Sequence, residues 1–123
     1  MNIQGHKDIV EQTQARVVEL LKEKCSKPDA PASALASLAN IYKKENDNEA
    51  AIENYRRALA LDYGQVRWRF SLAKLLAETG RVSEAIHEAR ICLRTRPHFK
   101  PAEQLIADLS VLPDVAIEEI QQP

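Results

Sequence analysis

Apolar side chains recur along this 123-residue chain at intervals of three and four, and they return in register after each polar break. That spacing puts them on one face of an α-helix. From His6 to Cys25 the stripe is Ile9, Val10, Val17, Val18, Leu20, Leu21 and Cys25. Pro28 and Pro31 then stop one helix and open the next. Helix 32–45 turns Leu35, Leu38, Ala39 and Tyr42 inward, and the cluster Asn46-Asp47-Asn48 reverses the chain. Helix 48–61 returns with Ala51, Ile52, Tyr55, Ala58 and Leu59. Helix 65–79 buries Leu72, Ala73 and Leu76, Gly80 ends it, and helix 82–95 packs through Ala85, Ile86, Ala89, Cys92 and Leu93. Pro97 and Pro101 bracket a further break before a helix over 101–112, and Pro113 breaks the chain again. The segment Asp114-Val115-Ala116-Ile117-Glu118-Glu119-Ile120 is a short amphipathic coda with acidic flanks. Residues 1–5 carry no pattern and are expected to be disordered.

A shift of 34 residues lays the middle of the chain on itself. Leu38-Ala39 falls on Leu72-Ala73, Ala51-Ile52 on Ala85-Ile86, Arg56 on Arg90, and Leu59 on Leu93. Asn46 falls on Gly80, and these two residue types tolerate the left-handed backbone needed just past a helix end. Ala39 and Ala51 are small enough for two helix axes to approach, with Tyr42 and Tyr55 filling the gaps above and below. A helix–turn–helix unit of this period resembles the tetratricopeptide repeat (TPR).

The resemblance is strong over 32–99 and implies an all-α, right-handed α-solenoid of antiparallel helix pairs, with repeat 1 at 32–65 and repeat 2 at 66–99. Residues 100–112 are similar to the first helix of a third repeat, because Ile106-Ala107 falls 34 after Leu72-Ala73. Glu103 and Ser110 replace larger apolar residues there, as suits a solvent-facing C-terminal cap. Residues 6–27 are either an N-terminal cap or the degenerate second helix of a missing repeat: Val18, Leu21 and Cys25 stand 34 before Ile52, Tyr55 and Leu59. Residues 113–123 form an amphipathic acidic tail. Two departures from the family stand out. Tyr63-Gly64-Gln65 replaces the usual proline-containing link, so this joint is expected to be looser or to end differently. Arg69 stands where Leu35 stood, and the aromatic has moved to Trp68.

Composition narrows the core. Apolar residues make up 45% of the chain but aromatics only 5%, so the core is aliphatic and rich in alanine, which favours closely packed helices. The net charge of −1 provides no field toward nucleic acid or an anionic membrane. It conceals an asymmetry: residues 65–99 hold seven basic and three acidic side chains, net +4, whereas residues 100–123 hold one basic and five acidic, net −4. Such an imbalance bears on association rather than fold. Cys25 and Cys92 follow no metal-binding spacing, and Cys92 occupies a small-residue slot in a helix, so a buried free thiol in a reducing compartment is expected. With no long apolar run and no leader pattern, the expected location is cytoplasmic, away from membranes.

The chain holds no glycine-rich phosphate loop, nucleophile elbow or HExxH. Glu84, His87 and Glu88 lie within one helical turn, but one His with two carboxylates is a poor metal set, and a solvated surface cluster is the expected outcome. The expectation is a non-enzyme with no cofactor and no metal. Arg90, Arg94, Arg96 and Lys100 are concentrated, yet only His98 and Phe99 supply rings nearby, so nucleic acid is not the expected partner.

What the resemblance implies instead is a concave groove, lined by the first helix of each repeat, that receives a peptide or a partner's helix. Helical geometry puts Ser33, Ala36, Ser37, Asn40, Lys43 and Lys44 on that side of helix 32–45, and Arg67, Phe70, Ser71, Lys74, Ala77 and Glu78 on that side of helix 65–79. The candidate site is Asn40, Lys43, Lys44, Arg67, Phe70, Ser71 and Lys74. Phe70 lies off the Leu72–Ala73–Leu76 stripe, so it is either an exposed apolar anchor flanked by cations or a residue packed under the C-terminal helix or coda. The partner expected is an acidic protein or peptide with an apolar anchor. The carboxylate clamp of chaperone-binding members is not implied: Asn40 matches it, but Ala36, Ser71, Pro101 and Leu105 stand where Lys, Asn and cations belong. The alternative is a self-associating structural or scaffolding segment, such as a homodimer, or part of a larger multidomain protein or enzyme. In a monomer the alternative is that the coda 114–120 folds back over its own groove as a pseudo-ligand.

Overall fold

The computed structural model describes residues 3–111, of which residues 3, 4 and 6 are described only as backbone. The acidic tail 113–123 and its coda lie outside the described residues. Six α-helices follow one another: α1 (Ile3–Cys25), α2 (Ala32–Lys44), α3 (Asn48–Leu61), α4 (Val66–Glu78), α5 (Val82–Thr95) and α6 (Lys100–Ser110). α1 begins at Ile3, so residues 3–5 are helical where disorder was expected.

α2 packs on α3, and α4 on α5, as two antiparallel hairpins; α3 meets α4, and α6 covers the far end through α5 and α4. The hairpin turns are the same structure built twice. Asn46 (φ 62°) and Gly80 (φ 82°) hold the left-handed position. Behind each, the Asp47 N–H donates to the Tyr42 carbonyl at 2.9 Å, and the Arg81 N–H donates to the Leu76 carbonyl at 2.8 Å. That six-to-one bond satisfies a carbonyl the helix end would leave open.

The joints between units repeat as well, which corrects the expectation at Tyr63-Gly64-Gln65. The Asp62 N–H donates to the Ala58 carbonyl and the Gln65 N–H to the Asp62 carbonyl; 34 residues on, Arg96 and Phe99 make the same bonds to Cys92 and Arg96. The backbone at Asp62 (φ −140°, ψ 80°) nearly equals that at Arg96 (φ −136°, ψ 93°). Proline is dispensable here because no bond in the turn needs its ring.

The core is a column of small residues. Ala39, Ala51, Ala58, Ala73, Ala85 and Ala89 are wholly or almost wholly buried, and Tyr55 fills the space beside them without any exposure. Leu38 and Leu72 are buried at the same depth in successive units. Trp68 reaches back from α4 and touches the cores of both hairpins.

α1 joins this stack only at its C-terminal end, where Cys25 is buried and Leu21 half-buried against Ala34 and Leu35. The Arg57 guanidinium fastens the end by donating to the Cys25 carbonyl at 2.9 Å. Ahead of that contact the apolar stripe is open to solvent: Ile9 is 64% exposed, Val17 54% and Leu20 48%. No helix among the described residues is long and apolar enough to cross a membrane.

Candidate protein-binding face

The first helices of the two units, α2 and α4, turn their outer sides the same way. On α2, Ser33, Ser37, Asn40 and Lys44 are exposed and Lys43 is half-buried. Ala36, expected in the groove, is instead buried, in a cluster against which Trp68 of α4 also packs. On α4, Arg67, Lys74 and Glu78 are exposed, while Ser71 and Ala77 are half-buried.

Phe70 departs from the exposed-anchor reading. Its ring meets Phe99 edge-on, with centroids 5.5 Å apart, and it packs against a buried cluster that includes Ala73 and Ala102. A phenylalanine one turn from the repeat joint finds the apolar side of α6 because that helix stacks beside α4. Phe70 as a whole is half-buried. The Lys74 ammonium lies 6.0 Å from its centroid, within reach of a weak cation–π attraction.

Two candidate residues meet at a group taken only as core filler. The Tyr55 hydroxyl, carried by α3, donates to the Asn40 side-chain oxygen, and the Ser71 side chain lies near enough to lower its pKa. Burial pushes this hydroxyl up from its ordinary range, partly opposed by Ser71. Because the Asn40 oxygen is occupied, its NH2 group is left to face outward as a donor. Asn40 is thus held to the Tyr55 hydroxyl, with Ser71 nearby. Lys43, Lys44 and Arg67 are not drawn together by any contact; Lys43 and Lys44 end α2, where positive charge complements the helix dipole.

Charge pairing differs between the two sides of the solenoid. On the side of the second helices, Arg81 bonds Glu84 at 2.8 Å and approaches Glu49 at 3.6 Å, while Arg56 lies 3.5 Å from Glu84. Arg69 and Glu88 form a buried pair at 2.6 Å, with the Arg69 guanidinium 4.4 Å from the Tyr63 ring centroid. This corrects the reading of Glu84, His87 and Glu88 as one solvated cluster: Glu84 and His87 are exposed, but Glu88 is buried. The pair lines a cleft of ≈ 230 Å³ with Arg56, Leu59, Ala60, Tyr63 and Leu72. On the first-helix side, Lys43, Lys44, Arg67 and Lys74 have no carboxylate partner among the described residues.

No buried side-chain polar atom among the described residues lacks a hydrogen-bond partner, so none is aimed unpaired into a cavity. Both cysteines are free and buried. Burial pushes the Cys92 thiol up to about 11, which makes it a poor nucleophile.

A family model described as tetratricopeptide repeat matches residues 37–94. Among solved structures, a crystal structure of MamA has a TM-score of 0.72 at 23% identity, covering 87% of this chain and 60% of that one. A second MamA structure gives 0.74 at 22% identity, covering 85% and 61%, and a MamA mutant gives 0.72 at 21%, covering 92% and 64%. This chain therefore spans about three-fifths of the length of those proteins, and at such identity the likeness is one of fold. No curated protein matches the chain. Residues 37–94 thus match the tetratricopeptide-repeat model within an all-helical, solenoid-like fold, and repeats of that family generally mediate protein–protein interaction and are typically non-catalytic.

Proposed function

We propose that this chain is a protein-interaction module whose first-helix face binds an acidic segment carrying apolar residues. The observation that carries the reading is that the first-helix cations Lys43, Lys44, Arg67 and Lys74 are exposed or half-buried and have no carboxylate partner among the described residues. A bound carboxylate meets these cations without displacing an existing ion pair. The half-buried Phe70 offers an apolar contact beside Lys74. The test is the affinity of a panel of acidic–apolar peptides for the wild type and for Arg67→Glu with Lys74→Glu. The reading expects a loss of about tenfold or more, larger at low salt because exposed charges are screened over a Debye length of about 8 Å at physiological ionic strength. Equal affinity in the double variant contradicts it.

One observation favours a second reading, self-association. The stripe of Ile9, Val17 and Leu20 on α1 is exposed ahead of the place where that helix packs on α2. Sedimentation across protein concentration decides: the reading expects a concentration-dependent dimer that Val17→Asp abolishes, and a monomer at every concentration rejects it.

A further inference from the structure

We infer that the groove's first ligand is the chain's own segment Asp114–Ile120, which competes with any outside partner. The inference rests on the groove reading above and adds the identity of the occupant. The segment has the chemistry that the face calls for: Asp114, Glu118 and Glu119 are acidic, and Val115, Ile117 and Ile120 are apolar. The complementary cations are on the stack's first-helix side, and none is held by a carboxylate among the described residues.

The connection also fits. α6 occupies the place of a third first helix, in contact with α4, so its C-terminal end at Ser110 lies at the same end of the stack as the C-terminal ends of α4 and α2. Lys74 is one turn from the end of α4, and Lys44 is the last residue of α2. Three residues, 111–113, span up to about 10 Å, at roughly 3.3–3.6 Å each. Neighbouring helix axes are separated by about 8–10 Å. A linker of that length therefore brings Asp114 to α4, and the seven residues that follow can cross toward α2.

A tethered ligand this close acts at an effective concentration on the order of millimolar, so even weak intrinsic affinity keeps the face occupied. The consequence is selectivity: an outside partner must exceed what the tail already provides.

The experiment uses the full chain in three forms and a labelled synthetic peptide of residues 112–123 as probe. The forms are the wild type; a tail-reversed variant (Asp114→Lys, Glu118→Lys, Glu119→Lys); and the tail-reversed variant with Lys44→Glu and Lys74→Glu added. Lys44 and Lys74 are exposed, and circular dichroism checks the helices. The expected result is binding to the tail-reversed chain, binding about tenfold or more weaker to the wild type, and loss of binding in the third form. Equal binding to wild type and tail-reversed chains, abolished by the groove substitutions, overturns the inference and leaves the groove reading standing. Absence of binding, or binding indifferent to Lys44 and Lys74, overturns both. Weak wild-type binding that recovers on dilution, with dimers in sedimentation, assigns the tail to a second copy and also overturns the inference.

Discussion

The guanidinium of Arg69 donates to a carboxylate oxygen of Glu88 at 2.6 Å, and both side chains are more than nine-tenths buried. These residues stand 34 positions after Leu35 and Asn54, which are also buried. One unit thus fills its two inward places with a leucine and an asparagine, whose NH2 donates to the Ala50 carbonyl at 2.8 Å and whose oxygen accepts from Arg57 at 3.4 Å. The next fills them with opposite charges.

Removing one partner of the pair leaves a buried charge alone. Arg69→Ala and Glu88→Ala are each expected to cost about 3–5 kcal/mol. Arg69→Leu with Glu88→Asn copies the first unit and is expected to match or exceed the wild type, since apolar replacement of a buried pair is often neutral or stabilising by about 1–4 kcal/mol. Urea midpoints of the three variants measure this. A double variant as unstable as the singles would show that the second unit cannot accept the first unit's packing.

The turn glycine has a purely backbone role. A Cβ at Gly80 meets nothing within 4 Å, so Gly80→Ala is expected to cost about 1–2 kcal/mol from the left-handed φ alone. Gly80→Asn is expected to lose less, because Asn46 already holds the corresponding position at φ 62°. Thermal midpoints rank the two. An alanine variant as stable as the asparagine variant would contradict the left-handed requirement.

Alkaline stability should fall through the Cys92 thiol. Its folded value is raised from 9.0 to about 11 by burial, so the folded state disfavours the thiolate that the unfolded chain forms more readily. The contribution is complete below pH 9 and is lost progressively as pH rises from 9 toward 11. Cys25 and Tyr55 are raised in the same direction. Cys92→Ala, which installs the residue found 34 positions earlier at Ala58, is expected to flatten part of this decline. Denaturant midpoints between pH 8 and 11 give the slope, and an unchanged slope in the variant would remove Cys92 from the account.

The hairpins were legible because their packing is local and periodic. Leu38 and Leu72, Ala51 and Ala85, and Asn46 and Gly80 each repeat a physical requirement at one spacing. The charged pair was not legible from Glu88 alone, since its neighbours Glu84 and His87 suggest a wet surface and its partner lies 19 residues back on another helix. A signal was nevertheless present: Arg69 in a leucine's place and Glu88 in the matching place of the opposite helix put opposite charges in both inward slots of one unit. For Phe70 the pattern within α4 left two readings open, an exposed anchor and packing under the C-terminal helix or coda, and the packed one holds. Its covering ring, Phe99, is supplied by the link before α6, and helical geometry within α4 says nothing about that neighbour. Tyr55 was rightly taken as a core filler, but its hydroxyl is too far along the side chain for spacing to place.

The measurement closest to the central claim is an amide chemical-shift map of the chain as an acidic–apolar peptide is titrated in. The account predicts perturbations concentrated on the first-helix side, at Asn40, Lys44, Arg67, Ser71 and Lys74, diminishing as salt is raised. Perturbations centred on the cleft beside Tyr63 and Arg56, or on the open stripe of α1, would contradict it.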